Sequence, residues 1–264
     1  MWYHNAAMDA GDRADAAVDV ERVDAGYPGV PVLRNVTFSV RRGEIFLLLG
    51  GSGCGKSTLM RHLTGLTPPL AGRIAVCGME WTPRSRAALC RKIGVMYQSG
   101  ALFGSMSCLE NVMLPLETFT RDRASARRKK ALELLAAVGM ADAADKPPSE
   151  LSGGMKKRAA IARAMALDPE VVFLDEPEAG LDPIAARSLD DLLLRLRGER
   201  GTTFIAVTHE LPGIFRIGDR CAVFDAAAGG MVALGPPRRL AENPPDPFTA
   251  KFFGCTGRDG GGKD

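Results

Sequence analysis

The sequence predicts an α/β fold with a mixed sheet core, an inserted α-helical subdomain and an antiparallel β subdomain at the amino terminus. Three observations predict it. Ile45 to Leu49 is an apolar run without polar alternation, as expected of a strand covered on both faces of a parallel sheet. That run passes directly into Gly50-Gly51-Ser52-Gly53-Cys54-Gly55-Lys56-Ser57-Thr58, and then into a helix carrying Leu59, Met60, Leu63 and Leu66 on one side. From Gln98 to Leu151 the strand pattern disappears while helical periods persist, which marks a lobe at about residues 99–166 inserted into the core.

The glycine-rich turn matches G-x-x-x-x-G-K-S/T in the strand-then-helix setting that this motif demands. Gly50, Gly51, Gly53 and Gly55 let the chain visit positive φ without Cβ strain, so that successive backbone N–H groups face one concavity. Such a concavity holds phosphate. The helix starting near Lys56 adds its own N-terminal N–H groups, Lys56 adds a charge that reaches the β- and γ-phosphates, and the Ser57 hydroxyl is placed to ligate Mg²⁺. Cys54 reads as a small side chain filling a variable loop position rather than as a redox sensor.

Taken in order, residues 1–16 are rich in Ala and Asp and read as a mobile tail. Val18 to Val20 and Val23 predict an edge strand. Tyr27-Pro28-Gly29 then turns into a second strand in which Val36, Phe38 and Val40 alternate with polar residues. Tyr27 is either a turn residue on the rim or a platform on which a base stacks. Ile74 and Val76 predict a further strand, Arg84 to Arg91 a short helix, and Ile93 to Tyr97 a strand that delivers Gln98.

Ser107-Cys108-Leu109-Glu110 is a capping box opening a helix with Leu109, Val112, Met113 and Leu116. Another helix carries Leu132, Leu134, Leu135 and Val138 and stops at Gly139. Leu151 to Met155 form a second glycine turn before the helical pattern Lys156 to Leu167, and so a second potential anion site.

Val171 to Leu174 predict a buried strand ending in Asp175-Glu176-Pro177. Adjacent carboxylates at the mouth of a parallel sheet are costly unless a cation or a catalytic task uses them. Asp182-Pro183 reads as an N-cap and first-turn proline, opening a helix with Leu189, Leu192, Leu193 and Leu196. Phe204 to Val207 predict another buried strand, which delivers His209. Cys221 to Phe224 and Met231 to Leu234 flank a glycine turn and read as a closing hairpin, followed by a loose tail at residues 254–264.

At 264 residues with one phosphate loop, the chain fits a single domain over residues 17–253. Its 46% hydrophobic and 25% charged content is that of a globular protein, and no apolar run reaches the roughly eighteen residues of a membrane helix. The six cysteines form no C-x-x-C pair and no signal peptide is evident, so a reducing, cytoplasmic setting is expected. A net charge of +3, from 34 basic and 31 acidic residues, gives no global pointer to nucleic acid. The basic runs Arg121 to Lys130 and Lys156 to Arg158 read as solvated helix faces.

Together these stations resemble the nucleotide-binding subunit of an ABC transporter, a P-loop ATPase fold, over about Val18 to Phe253. The order carries the resemblance: Tyr27, the phosphate loop, Gln98, the signature Leu151-Ser152-Gly153-Gly154-Met155, the Walker B stretch Val171 to Glu176, the D-loop Ala179 to Asp182, and His209. Met155 departs from the family, which usually has glutamine there. Gln98-Ser99-Gly100-Ala101-Leu102-Phe103, Glu110-Asn111-Val112 and the same methionine resemble the Mla/Mce-type ATPases that drive phospholipid or related lipid transport.

The resemblance implies ATP and Mg²⁺ as ligands and hydrolysis of the β–γ bond. It makes Tyr27 the adenine platform, Ser57, Gln98 and Asp175 the magnesium site, Glu176 the group that polarises water, and His209 a γ-phosphate contact. It further implies a head-to-tail dimer in which the signature residues Ser152, Gly153, Gly154 and Met155 act in trans, with the D-loop Asp182 nearby. Partners would be integral membrane permease subunits and possibly an Mce-type substrate-binding protein, at the cytoplasmic face of the inner membrane. Direct contact with nucleic acid is not expected. Other readings stay open: a soluble ABC ATPase acting on nucleic acid or ribosomes, an ABC importer or exporter ATPase for another substrate, and a nucleotide-gated module that does not turn over. The apolar group Ala101, Leu102, Phe103 and Met106 either packs inside the helical lobe or receives a permease helix.

Overall fold

A computed structural model of the chain describes residues 16–254. The two tails expected at the termini lie outside the described residues, apart from Ala16, which opens the first strand, and Gly254. Strands β1 (Ala16–Tyr27), β2 (Val30–Arg41), β4 (Ala71–Val76) and β5 (Met79–Glu80) form an antiparallel sheet in the order β2-β1-β4-β5. A second sheet has the order β10-β9-β3-β8-β7-β6, from β3 (Ile45–Gly50), β6 (Ile93–Met96), β7 (Val171–Asp175), β8 (Thr203–Val207), β9 (Arg220–Asp225) and β10 (Gly230–Gly235). Its pairings are parallel except for the β9–β10 hairpin, so the core sheet is mixed.

Contrary to the expected edge position, β1 is an interior strand: Val20 pairs with Phe38 of β2 on one side and with Ile74 of β4 on the other. The apolar alternation reports which face is buried, but it is silent on how many backbone edges are paired. A bulge at Arg22, whose φ is 48°, shifts the register, so that Val18, Val20, Val23 and Ala25 are all buried despite the break in their period.

Strand β3 separates two cores. Ile45, Leu47 and Leu49 face helices, while Phe46 and Leu48 face the antiparallel sheet, where Phe46 stacks on Phe38 with ring centroids 5.1 Å apart. This is why the run shows no polar alternation.

Helix α1 (Lys56–Leu63) follows β3, and α2 (Arg86–Lys92) precedes β6. Between β6 and β7 the chain contains no strand; it forms α3 (Cys108–Phe119), α4 (Ala124–Ala137) and α5 (Gly153–Ala164). The Ser107–Glu110 capping box starts α3 as expected, with Ser107 Oγ accepting from Glu110 N and the Glu110 carboxylate from Ser107 N. The charged stretch Arg121 to Lys130 lies largely on the exposed side of α4. Lys156 to Arg158 does not behave in the same way, because Lys157 is buried.

Leu109, Val112, Leu116, Leu134, Leu135 and Ile161 pack into one continuous core with Met96, Val172 and Leu174 of the sheet. The lobe is seated most tightly where α5 crosses β6: a Cβ at Gly94 would lie 2.2 Å from the Ala164 carbonyl oxygen. Gly94→Ala is therefore expected to separate α5 from the sheet and destabilise the fold by about 1–3 kcal/mol. Gly104→Ala, where a Cβ meets nothing within 4 Å, serves as the control. Thermal melts of the two variants check this; equal melting temperatures would mean that β6 and α5 are not tightly apposed.

Candidate nucleotide site

The C-terminal ends of β3, β6, β7 and β8 open on the same side of the core sheet, and each delivers one of the residues expected to act. After β3 the loop turns through Gly50 at φ 145°, Gly53 at 75° and Gly55 at 100°. Two of these glycines are also enforced by packing. A Cβ on Gly50 would lie 2.3 Å from the Phe224 carbonyl oxygen, and one on Gly55 2.8 Å from Leu33 Cγ. Gly51 departs from expectation: its φ is not positive and a Cβ there would meet nothing within 4 Å.

Lys56 is buried, and its ammonium donates to the carbonyls of Gly50 at 2.9 Å and Gly51 at 2.8 Å, with Cys54 Sγ at 3.5 Å. It thus sits inside the loop. Helix α1 begins at Gly55 with no side-chain cap and no acidic residue in its first turn, leaving its first N–H groups to an anion. Ser52 and Ser57 are exposed, and Thr58 is half-buried.

Across the mouth of the sheet, Gln98 Nε2 donates to Glu176 Oε2 at 2.7 Å, and His209 Nδ1 lies 3.7 Å from Glu176 Oε1. Glu176 holds a left-handed backbone, φ 46°, with its N–H bonded to the Val207 carbonyl at 3.0 Å. Such strain in a non-glycine residue clusters at sites where a side chain must be aimed. Burial, and next the charge of Glu176, push the Asp175 carboxyl above its ordinary value, while Lys157 and Lys56 pull it down.

Among the described residues no cluster of three or more His, Cys, Asp or Glu forms a metal site. Ser57, Gln98 and Asp175 instead offer a hydroxyl, an amide oxygen and one carboxylate. That hard donor set suits a Mg²⁺ shared with phosphate oxygens and water, and the crowded Asp175–Glu176 pair would be relieved by a cation.

Ser152 is the N-cap of α5, accepting from Met155 N at 3.3 Å. Gly153 and Gly154 follow it in the first turn, next to Leu181 of the D-loop at 3.9 and 3.8 Å from the positions their Cβ atoms would take. Met155 packs against the apolar core, which gives a physical reason for a thioether in place of a polar amide. Asp182 Oδ1 caps α6 (Pro183–Arg200), accepting from Ile184 N and Ala185 N at 2.9 Å each.

Tyr27 is 51% exposed at the tip of β1. Its hairpin abuts the phosphate loop at Gly55, through Val32 and Leu33. Next to Tyr27, the Gly26 N–H donates to His62 Nε2 at 3.1 Å, and the other ring nitrogen of His62 bonds the Thr67 carbonyl at 3.0 Å. This buried histidine of α1 ties the tyrosine strand to the phosphate-loop helix, and no pattern in the sequence announced it.

Three further polar groups were not foreseen. Lys157 reaches the strand ends from α5, and Glu178, 4% exposed, lies near Asp190, also 4% exposed. A Cβ on Gly213 of α7 (Leu211–Ile217) would lie 3.5 Å from Asp190 Oδ1 and 3.7 Å from Glu178 Oε1. Burial is the main cause that lifts Glu178 from its ordinary 4.5 to about 7, helped by Asp190 and Glu210 and opposed by its bond to Thr208. Burial likewise lifts Asp190 from 3.8 to about 6, helped by Asp191 and opposed by Arg216, whose Nη1 is 4.0 Å away.

Both carboxyls bind protons more tightly folded than unfolded. Stability is therefore expected to fall as pH rises from the ordinary carboxyl range through about 7. Glu178→Gln should melt at the same temperature as the parent near pH 4 and several degrees higher at pH 8. A melting difference that does not grow with pH would show that Glu178 does not titrate in this window.

These features define a phosphate-loop nucleotide-binding site. The family described as "ABC transporter" matches residues 33–179. The chain is 38% identical over 231 residues to the methionine import ATP-binding protein MetN of Bradyrhizobium diazoefficiens, covering 86% of this chain and 66% of that protein. It is also 38% identical over 242 residues to the spermidine/putrescine import ATP-binding protein PotA of Roseobacter denitrificans, covering 91% and 65%. The chain thus spans about two thirds of the length of these relatives.

Among solved structures it resembles a dimeric post-hydrolysis state of the ATP-binding cassette MJ0796 bound to ADP and Pi. The TM-score is 0.75 and the identity 30%, over 83% of this chain and 98% of that one. The chain belongs to the ABC transporter family. No helix among the described residues is long and apolar enough to cross a membrane.

Proposed function

We propose that this chain is the ATP-hydrolysing subunit of an ABC transporter, working as a head-to-tail dimer on separate membrane permease subunits. The observation that carries this is the convergence of Gln98 and His209 on the Glu176 carboxylate, at the mouth of the sheet that also presents the phosphate loop. Lys56 and the loop N–H groups would hold the β- and γ-phosphates, and Tyr27 would stack on the adenine. Ser57, Gln98 and Asp175 would hold Mg²⁺, which when bound neutralises charge on the phosphate oxygens. Glu176 accepts the proton of the attacking water, and His209 donates to the γ-phosphate. In the dimer, Ser152, Gly153 and Gly154 of one subunit close the site of the other, with Asp182 beside them.

The resemblance of Gln98 to Phe103 and of Met155 to Mla/Mce-type ATPases supports a phospholipid or related lipid as cargo, with an Mce-type protein as a further partner. A second reading, import of a small polar solute, is favoured by the relatives named for methionine and for spermidine and putrescine. In either case the location is the inner face of the membrane, reached through the permease.

The surface fits that docking. A 280 Å³ groove lies between the two lobes, lined by Leu66, Cys90, Tyr97, Pro115, Phe119 and Arg163 among others. Arg163 also donates to the carbonyls of Gly100 and Ala101 at 2.8 and 2.7 Å, so the groove adjoins the segment that follows Gln98. There Asn111, wholly buried, clasps the carbonyls of Phe103, Met106 and Ser107, and holds the Phe103 side chain 51% exposed while Leu102 packs inward.

Two variants test the proposal. Glu176→Gln should keep ATP affinity and lower turnover at least ~10²-fold, measured by phosphate release; hydrolysis at the parent rate would remove Glu176 from its role. Phe103→Glu should fold and bind ATP as the parent does, yet lose co-purification with its permease, as truncation of an apolar anchor in a groove costs ~2 kcal/mol or more. Identification of the co-purified membrane subunits, and of lipid or solute carried by them, decides between the two cargo readings. Full assembly of Phe103→Glu would place the docking surface elsewhere.

A further inference from the structure

Helix α5 carries a lysine that the hydrolytic scheme above leaves without a task. Lys157 is 6% exposed and projects from the second turn of α5 to the mouth of the sheet. Its ammonium donates to the carbonyl of Gln98 and to the carbonyl of Glu176, the latter at 3.1 Å. One side chain thus bonds the backbones of two residues that lie 78 positions apart in the chain and whose own side chains bond each other.

Burying an ammonium is costly, and desolvation draws its pKa down. The charges of Glu178, Glu176 and Asp175 oppose that shift and favour the cation. No ordinary packing need explains such a choice, since a methionine would fill similar space.

The geometry at Glu176 shows what the lysine does. The left-handed backbone at φ 46° is rarely adopted by a residue with a side chain, and it has to be held from both directions. The Val207 carbonyl holds its N–H and Lys157 holds its C=O. Further along α5, Arg163 grips the carbonyls of Gly100 and Ala101, so this one helix fastens the segment after β6 at three carbonyls. The same helix begins at Ser152, the residue proposed to close the partner's site.

We propose that Lys157 is a positioning residue for hydrolysis: it aims Glu176 and Gln98 together, and makes their alignment depend on where the signature helix of the same subunit is seated. A nucleotide that draws Ser152 toward the other site would then move Lys157, and with it the water-facing carboxylate of its own site. This rests on the role proposed for Glu176 and on closure in trans.

The test uses the full chain and compares Lys157→Met, Lys157→Gln and Glu176→Gln by steady-state hydrolysis and by binding of a fluorescent ATP analogue. Lys157→Met should lower kcat ~10- to 100-fold while KM and analogue affinity stay within about twofold. Lys157→Gln, which retains N–H donors without the charge, should recover a substantial part of the lost kcat. A Lys157→Met protein with the parent kcat, or one whose kcat and nucleotide affinity fall together, overturns the proposal, as does Lys157→Gln no better than Lys157→Met. If Lys157→Met does not fold, Lys157→Gln carries the test: reduced kcat at unchanged affinity supports it, and parent kcat overturns it. Glu176→Gln separates the two readings. Turnover unchanged in that variant removes the role of Glu176 itself, whereas an inactive Glu176→Gln beside a fully active Lys157→Met removes only that of Lys157.

Discussion

Burying β3 along its whole length obliges its backbone to find partners on both edges and its side chains to find cover on both faces. Strands β8 and β9 supply the edges, the helices one face and the antiparallel sheet the other. Once these are in place, the middle of β3 is wholly apolar, and the groups suited to water, phosphate or a cation lie at the strand ends. Parallel pairing places those ends on one side. Lys56, Gln98, Glu176 and His209 follow β3, β6, β7 and β8 in the sequence, and they become neighbours because the strands run in the same direction.

The mouth of the sheet is therefore both crowded with charge and partly dry. Lys56 and Lys157 are buried cations, Asp175 and Glu178 are buried or half-buried carboxyls, and Glu176 stands between them. Burial makes a carboxyl hold its proton more tightly, and neighbouring carboxyls add to this, as at Asp175, Glu178 and Asp190. A site whose charges are arranged in advance leaves little reorganisation to a chemical step.

The same arrangement explains why cargo is hard to read from this subunit. Relatives at 38% identity carry names for an amino acid and for polyamines, so a comparable degree of likeness goes with different named cargoes. Discrimination of cargo needs a pocket that contacts it, which the proposed function assigns to separate membrane subunits.

Local chemistry was sufficient to mark the phosphate loop, the capped starts of α3 and α6, the strand ends carrying Asp175, Glu176 and His209, and the helical insertion. Each is a contiguous pattern whose physical meaning lies within a few residues: positive φ, a capping hydroxyl or carboxylate, an apolar period. Tertiary structure decided the rest. It made β1 an interior strand, because pairing of its second edge depends on β4, some fifty positions later. It showed that Gly51 is not held at positive φ although its neighbours are. It turned Lys157 from a member of a basic run into a buried cation, and brought His62 to Gly26 and Glu178 to Asp190. Apart from Gly51, where a Cβ would meet nothing within 4 Å, the deciding partner lies on another element, and a side chain's burial and charge state are properties of the packed surroundings rather than of its neighbours in the chain.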